Sequence, residues 1–369
     1  MINNDDINQF EHIQKELDKL QKTSSLSKML PFFFNLILYV KKSQRSLYQH
    51  KIISPLIDKF PSRIIFIIEE DNENISQKHY LNITVQPMSA SNRCEIIFIN
   101  VSGSYRERIP FLIYPNLISD LPIYLLWTLP IKPNISILTS ISKLASRIIF
   151  DANTTLNLHE FFSSIFSCYE HSNSCIADIS WTAISSWRKL LSNFFDSPET
   201  LHGLSSSKKI VINYISENKI ENEFSPNKIQ ALYLQAWLVT SLNWQLENLQ
   251  FKNTFKISYI NNNKTITQVL LQPILQEQFE IGSIKSIEIF PSICSGTYYF
   301  QRVSSKEQVS LNYSESYNNR ENTHPKKNFI IGLQEGLEII QEVFFPPSPS
   351  LFFKSFNFLK DLFEKYNVN

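Results

Sequence analysis

Residues 178–196, DISWTAISSWRKLLSNFFD, are the most strongly patterned stretch of the chain. The large apolar side chains recur at about 100° per residue, which predicts one amphipathic helix of roughly five turns. The apolar positions are Trp181, Ile184, Trp187, Leu190, Leu191, Phe194 and Phe195. Asp178 or Ser180 can cap the start of the helix, and Pro198 ends it because proline disfavours helix in the residue before it.

Arg188 falls inside this apolar arc. A guanidinium keeps its charge at neutral pH, so it needs a carboxylate, a phosphate or the face of an aromatic ring. Two interpretations stay open. Either the side chain of Arg188 extends past the helix to water, or Arg188 pairs with Asp151 or Asp178 and fixes how the helix docks.

The same stretch resembles the signature helix of the OpcA family of glucose-6-phosphate dehydrogenase assembly proteins. That helix has an aspartate, an apolar residue, a small residue and a tryptophan, then a W-R-x-L run and a phenylalanine–aspartate end. Three upstream segments resemble further motifs of the family in the same order: 61–65 (PSRII), 120–127 (DLPIYLLW) and 146–151 (SRIIFD). The second half of the chain resembles the family more loosely, at residues 236–238, 298–302 and 334–338.

Three positions depart from the family pattern. Phe60 stands where the family usually has histidine, and Leu126 replaces the first tryptophan of a pair. Ser146 replaces an aspartate before Arg147. These departures leave the expected fold unchanged.

The resemblance implies a protein without catalytic activity of its own and without a cofactor. It implies that the partner is glucose-6-phosphate dehydrogenase. The chain would bind that enzyme, act as an allosteric activator that favours its active oligomer, and so support the oxidative pentose phosphate pathway and NADPH supply. A partner with higher affinity for one state raises the population of that state.

Nine residues are candidates for partner binding or for building the family signature. They are Asp120, Pro122, Trp127, Arg147, Asp151, Asp178, Trp181, Trp187 and Arg188. We expect Trp181, Trp187 and Arg188 to hold the signature helix against a sheet. We expect Asp120, Pro122 and Trp127 to shape the face that the partner meets.

The first part of the chain alternates strand and helix patterns. Strands are predicted by β-branched runs at residues 63–70, 80–88, 94–101, 122–129 and 147–151. Helical segments separate several of them, so we predict a mostly parallel sheet with flanking helices, which is a Rossmann-like α/β domain over residues 1–175. Residues 31–50 are interpreted as a buried helix with a basic second half.

The second part, residues 176–369, is predicted as an α+β domain that begins with the signature helix. Residues 225–247 show the periodicity of a long helix, and 255–260 with 265–272 show that of a hairpin. Further predicted strands, which favour an antiparallel sheet, are 284–291, 296–303 and 308–313. Predicted closing helices are 329–345 and 351–366.

The composition argues against several classes of function. The formal net charge is +1, and clustered Lys and Arg that would bind nucleic acid or an anionic membrane are missing. Only 6 glycines occur, and none forms a phosphate-binding G-x-G-x-x-G loop. The longest apolar run, 29–40, is shorter than the roughly 20 residues that span a bilayer, so we expect a cytoplasmic protein.

The four cysteines, Cys94, Cys168, Cys175 and Cys294, lack the spacing of a zinc site. We expect four reduced thiols. The family resemblance adds a redox switch as a second hypothesis. We find no nucleophile elbow and no metal site.

Two other functions stay open. The first is an enzyme that acts on a nucleotide or a sugar phosphate, with its site at Asp120, Arg147 and Asp151. Arginines and helix ends can hold a phosphate without a glycine loop. The second is a scaffold for a different client protein.

Overall fold

The computed structural model describes the chain in segments. The described residues are 15, 32–57, 60–70, 81–87, 94–131, 136–170, 174–222, 224–251, 254–276, 278–292, 296–302, 308–317, 320–323, 327–330 and 349–367.

Two compact units make up this chain. Among the described residues, the first unit contains those up to Thr154 together with Ser164–Ile179. The second contains Thr155–Ser163, the described part of Ser180–Gln334, and the last helix. The boundary predicted at residue 175 stays a prediction, because part of the chain lies outside the described residues.

The first unit is built on a seven-stranded sheet in the order β3-β4-β2-β1-β5-β6-β7. Its strands are β1 Phe34–Lys41, β2 Ser62–Glu69, β3 Leu81–Pro87, β4 Cys94–Val101, β5 Ile123–Trp127, β6 Arg147–Phe150 and β7 Cys175–Asp178. The edge strand β3 runs antiparallel to β4, and the other pairs are parallel. The predicted Rossmann-like fold class is therefore confirmed.

Helices connect these strands. They are α1 Arg45–Tyr48, α2 Ser54–Ile57, α3 Ile109–Ile113, α4 Ser136–Ser142 and α5 Leu158–Glu170. Shorter 3-10 segments lie at Lys42–Gln44, Gly103–Arg108, Tyr114–Asn116 and Ala152–Thr154, and a π-helical turn lies at Gln49–Ile53. The residues of α5 are divided between the two units.

The prediction of a helix over residues 31–50 is wrong for its first half. Residues of β1 pair in parallel with β2 on one side and with β5 on the other, and Leu36, Ile37 and Leu38 are fully buried. A strand covered on both faces has no polar stripe, so its sequence shows no alternation that would distinguish it from a buried helix. The basic half does form helical turns after the strand.

A nine-stranded sheet forms the second unit, with the order β15-β14-β13-β12-β8-β11-β10-β9 and β16 paired with β14. Its strands are β8 Ser207–Ile215, β9 Gln245–Phe251, β10 Phe255–Ile260, β11 Ile266–Ile274, β12 Ile284–Pro291, β13 Thr297–Arg302, β14 Gln308–Tyr317, β15 Arg320–Thr323 and β16 Lys327–Ile330. The predicted hairpin is β10–β11. One pair, β8 with β11, is parallel, and the others are antiparallel.

Helices of the second unit pack on one face of this sheet. They are α6 Ile179–Ala183, α7 Ser185–Phe194, α8 Pro198–Ser205, α9 Ile229–Leu242 and α10 Pro349–Asn367, with a 3-10 segment at Pro226–Lys228. Tyr259 of β10 lies 6.1 Å from Phe358 of α10 between ring centroids, and Phe255 lies 6.5 Å from Phe363. Residues of this sheet face and of the last helix therefore share one aromatic core.

The signature stretch is not the single helix that the sequence predicts. Asp178 ends β7, α6 and α7 follow, and Ile184 separates these two helices with φ −94° and ψ 5°. Serines 185 and 186 follow directly, and serine hydroxyls compete with the helical hydrogen bonds of the backbone. The predicted apolar arc thus belongs to two short helices.

Two other predicted helices change their bounds. The helix predicted at 225–247 ends at Leu242, because Asn243 takes the left-handed conformation that terminates helices, with φ 55°. Most of the helix predicted at 329–345 lies outside the described residues, and its first two residues belong to β16. The final helix is confirmed.

Candidate functional site

The parallel strands of the first sheet define two opposite edges. We call the carboxyl edge the set of last strand residues, Lys41, Glu69, Val101, Trp127, Phe150 and Asp178. We call the amino edge the set of first strand residues, Phe34, Ser62, Cys94, Ile123, Arg147 and Cys175, with the loops that lead into them. Sheets of this type bind ligands at the carboxyl edge where the strand order reverses, which here is between β1 and β5.

Ion pairs within the chain occupy the carboxyl edge. The Tyr39 hydroxyl donates to Glu69 Oε2 at 3.0 Å, and Arg106 Nη2 lies 2.8 Å from Glu69 Oε1. Lys42 Nζ lies 2.7 Å from Glu70 Oε1. Burial raises the pKa of the Tyr39 hydroxyl well above its usual range, and the charge of Glu69 raises it further. Cations of the same chain therefore balance the acidic end of β2.

Trp127 is one of the candidate residues at this edge. Its side chain is 2% exposed, and its ring centroid lies 4.6 Å from that of Tyr39. A side chain this deeply buried contributes to the core beneath the edge, where it supports the position of Tyr39.

The turn after β1 lacks the features of a dinucleotide-binding loop. Its residues 41–45 are KKSQR, and none of them has a positive φ. Dinucleotide-binding turns use glycines so that the backbone can approach the pyrophosphate closely. This turn contains no glycine, so each of its residues carries a side chain.

Asp151 and Asp178 hold neighbouring strand ends together. The Tyr48 hydroxyl donates to Asp151 Oδ2 at 2.7 Å, and the Asn153 amide donates to Asp151 Oδ1 at 3.0 Å. The Ala152 amide donates to Asp178 Oδ1 at 3.4 Å. Both aspartates are buried. Burial raises the pKa of Tyr48 far above its usual range, and the charge of Asp151 adds to this effect.

Asp120 and Pro122 lie at the amino edge, in the loop before β5. Asp120 is exposed and has φ 65°, the left-handed conformation that aspartate tolerates better than most residues. The fully buried Asn35 fixes this loop, since its side chain accepts from the Ile118 amide at 2.8 Å and donates to the Ile118 carbonyl at 3.0 Å. The Asn35 backbone amide donates to the Pro122 carbonyl at 2.9 Å.

Sequence reasoning did not select Asn35 as a site residue. The feature of the sequence that could identify Asn35 is an amide side chain within the otherwise apolar run FNLILYV, at residues 34–40. A buried polar side chain needs hydrogen-bond partners, and these partners are the loop that carries Asp120.

Arg63 is a second residue that sequence reasoning did not select. Its Nε lies 3.0 Å and its Nη2 2.5 Å from Glu95 Oε2, and Nη1 donates to the Asn116 carbonyl at 3.1 Å. Both charged side chains are buried. The two residues hold equivalent positions in SRIIFIIE and CEIIFINV, the sequences of neighbouring parallel strands, and that equivalence was the available signal.

Arg147 begins β6 at the amino edge. It is half-buried, and its Cζ lies 5.9 Å from the ring centroid of Tyr124. Burial lowers the pKa of its guanidinium. The exposed Cys175 is its register partner on β7.

The three residues of the enzymatic alternative do not come together. Asp120 and Arg147 belong to the amino edge, whereas Asp151 follows the carboxyl end of β6. Four residue steps along β6 separate Arg147 from Asp151, which is roughly 13 Å at the usual strand rise. A single small substrate would therefore not contact all three side chains.

Trp181, Trp187 and Arg188 lie in the second unit. Both tryptophans are buried, and the Trp181 ring lies 5.7 Å from Tyr233 and 5.8 Å from Phe352 between centroids. Arg188 Cζ lies 3.9 Å from the Trp181 ring centroid, so the ring face that a guanidinium can use is supplied within the stretch itself. The pairing of Arg188 with Asp151 or Asp178 stays a prediction.

The described cysteines are free thiols in three different settings. Cys94 is buried and donates to the Phe60 carbonyl at 3.5 Å, and Cys175 is exposed. Cys168 lies between these extremes, and burial raises the pKa of its thiol. Cys294 lies outside the described residues, and the redox switch stays a hypothesis.

In the part of the chain that the structure describes, no cluster of three or more His, Cys, Asp or Glu side chains could hold a metal ion. Among the same residues, no helix combines the length and the apolar character needed to cross a membrane.

Two family models match the chain. The first, described as the glucose-6-phosphate dehydrogenase subunit N-terminal domain, matches residues 56–165. The second, described as the C-terminal domain of the same subunit, matches residues 174–288. Together the two models cover more than half of the 369 residues. The chain belongs to the OpcA family.

Curated OpcA relatives are similar over half of the chain. An OxPP cycle protein OpcA of Nostoc punctiforme is 27% identical over 191 residues, which are 50% of this chain and 38% of that protein. A protein of the same description from Synechococcus elongatus is 25% identical over 166 residues, 45% of this chain and 35% of that protein. The match thus spans well under half the length of these relatives.

A solved structure shares the fold of this OpcA chain. It is a variant of KijD10, a 3-ketoreductase from Actinomadura kijaniata, in complex with TDP-benzene and NADP. The TM-score is 0.51 at 7% sequence identity, with 92% of this chain and 98% of that chain covered. At this identity the likeness shows a common architecture and nothing about the activity.

Proposed function

We propose that this OpcA chain is a non-enzymatic partner of glucose-6-phosphate dehydrogenase in the bacterial cytoplasm. It binds the enzyme and favours its active oligomer, which supports NADPH supply through the oxidative pentose phosphate pathway. The observation that carries the proposal is the match of both family models, whose descriptions name that dehydrogenase.

The carboxyl edge supports a role without catalysis. In a dinucleotide-binding sheet this edge offers a glycine turn and an acidic residue for the ribose. Here the turn carries Lys42 and its neighbours, and Glu69 is held by Tyr39 and Arg106. A ribose that bound Glu69 would have to share its carboxylate with these two side chains.

The activation would follow from linkage. A partner shifts an equilibrium only by the difference between its affinities for the two states. Moving an oligomer from about 1:99 to 99:1 needs about 5.5 kcal/mol of differential binding. An interface of standard size, about 1,600 Å² in total, is compatible with such a difference.

The test is an assay of the cognate dehydrogenase with increasing amounts of this protein, combined with light scattering of the mixture. We expect a saturable rise in activity together with a complex that contains both chains. Unchanged kinetics and no complex at micromolar concentrations would contradict the proposal. NADP reduction by this protein alone would contradict its non-enzymatic part.

A further inference from the structure

The amino edge of the first sheet exposes large apolar side chains. Phe33 is 53% exposed, Leu144 is 42% exposed and Tyr114 is 40% exposed. Pro122, which lies between Tyr114 and Leu144 in the sequence, is also exposed. We call these four residues the apolar patch. Exposed apolar side chains that lie next to one another mark interaction sites on protein surfaces.

Backbone hydrogen bonds place three residues of the apolar patch, Phe33, Pro122 and Leu144, along a line that runs across the strands of the sheet. The Phe33 amide donates to the Pro61 carbonyl at 2.8 Å, and the Asn35 amide donates to the Pro122 carbonyl at 2.9 Å. The Ser146 amide, two residues after Leu144, donates to the Ile123 carbonyl at 2.8 Å. From β2 to β6 this line crosses four strands, which is about 14 Å at 4.8 Å per step.

Tyr114 joins the apolar patch from the neighbouring helical layer. Its hydroxyl donates to the carbonyl of Ser140 at 3.3 Å, and Ser140 lies in α4, whose following turn carries Leu144. The tyrosine hydroxyl is therefore bound to the helix that leads into the turn of Leu144.

The loops that carry the apolar patch are held by buried polar groups. Asn35 fixes the loop before β5, as described above. The buried Ser174 donates to the Ala145 carbonyl at 2.6 Å and to the Ser142 carbonyl at 3.1 Å, which fixes the turn before β6. A surface that is already ordered loses less conformational entropy when it binds.

The family motifs of this unit all begin at the amino edge. The PSRII segment begins β2, the DLPIYLLW segment leads into β5, and the SRIIFD segment leads into β6. Within them, Arg63 is buried against Glu95, and Ser146 Oγ accepts from the Ile123 amide at 3.4 Å. Arg63 and Ser146 thus help to build the amino edge, whereas the later residues of two motifs, up to Trp127 and Asp151, continue to the carboxyl edge.

We infer that the apolar patch at the amino edge is the surface on which glucose-6-phosphate dehydrogenase docks. This inference rests on the proposed function and names the surface that would carry it out. Aromatic side chains and arginine are enriched in the centres of protein interfaces, and the edge supplies Phe33, Tyr114 and Arg147.

Charges around the apolar patch specify the matching surface of the enzyme. Lys143 and Asp120 are exposed, and Arg147, the first residue of β6, is half-buried. The complementary surface would place apolar side chains against Phe33 and Leu144 and a carboxylate near the two cations. Such an arrangement fixes the register of the two proteins as well as their affinity.

The experiment measures the affinity of the full chain for the cognate dehydrogenase by biolayer interferometry. Leu144→Glu and Phe33→Glu each place a charge within the apolar patch, and we expect each to weaken binding about tenfold or more. Leu201→Glu is the matched control, because Leu201 is 44% exposed and lies in the second unit. We expect the control to change the affinity less than twofold.

Circular dichroism melting of each variant shows whether it is folded, and the milder Leu144→Ala replaces any variant that is not. If the parent binds and folded patch variants bind equally well, the docking surface is wrong while the proposed function stands. If the parent itself does not bind, both fall. A patch variant that changes only the self-association of the chain, with the same affinity for the enzyme, also overturns the inference, since a second copy would then occupy the patch.

Discussion

The two edges of the first sheet differ in the side chains that they leave at the surface. At the carboxyl edge, acidic groups pair with cations of the same chain, as in Lys42–Glu70 and Arg106–Glu69. At the amino edge, the polar residues Asn35 and Ser174 hold the backbone of loops, and apolar side chains are left exposed above them. If the dehydrogenase docks on the amino edge as we propose, this sheet binds its partner at the edge opposite to the one that binds ligands in folds of this type.

The largest effect should follow from breaking the ion pair beneath the amino edge. Glu95→Ala leaves the buried Arg63 guanidinium without its carboxylate, which should cost about 3–5 kcal/mol in the free energy of unfolding. Urea unfolding measures this loss. The double variant with Arg63→Met and Glu95→Leu should recover most of it, because both charges are then removed. A loss below about 1 kcal/mol for Glu95→Ala would contradict a structural role for the pair.

A smaller effect is expected at the carboxyl edge from Tyr48→Phe. Without the hydroxyl, Asp151 loses one buried donor, which should cost about 1–3 kcal/mol at pH 7. Urea unfolding at neutral pH measures this cost. An unchanged free energy of unfolding would mean that water replaces the hydroxyl.

The same variant should change the dependence of stability on alkaline pH. Burial raises the pKa of Tyr48 in the folded chain above its ordinary value of 10.0, so the unfolded chain releases the proton first and stability falls as pH rises above 10. Tyr48→Phe should reduce that slope by about 1.4 kcal/mol per pH unit. The free energy of unfolding, measured at several pH values above 10, gives this slope. An identical slope in parent and variant would contradict a raised pKa of Tyr48 in the folded chain.

The smallest effect should come from Lys42→Ala at the carboxyl edge. The Lys42 side chain is 60% exposed, and exposed ion pairs contribute about 0–1 kcal/mol. Thermal melting should therefore change little, and affinity for the dehydrogenase should stay at the parental value. A large loss of affinity in this variant would move the docking surface to the carboxyl edge.

The sequence predicts much of this comparison but not all of it. The β-branched runs identify β2 and β4, because such side chains suit strands that are buried on both faces. The same full burial hides β1, because its sequence predicts a helix. Strand identity at this position depends on pairing with β2 and β5, and pairing is a contact between residues far apart in the chain.

The candidate residues show a similar limit. The sequence predicts that Asp120, Pro122 and Trp127 shape one face, yet Asp120 and Pro122 precede β5 whereas Trp127 ends it. The sequence gives the order of residues along a strand. It does not show at which edge of the sheet the side chains stay exposed to solvent. The exposure of Leu144 follows from the turn after α4, and no local pattern predicts it.

Amide hydrogen exchange of this chain, measured with and without the dehydrogenase, tests most directly whether the enzyme docks on the amino edge. Docking at the amino edge predicts slower exchange on binding in the loops that lead into β5 and β6, at residues 118–124 and 143–147. It predicts unchanged exchange at residues 41–45 and 102–106 of the carboxyl edge. Protection confined to the carboxyl edge, or protection by NADP alone at that edge, would contradict it.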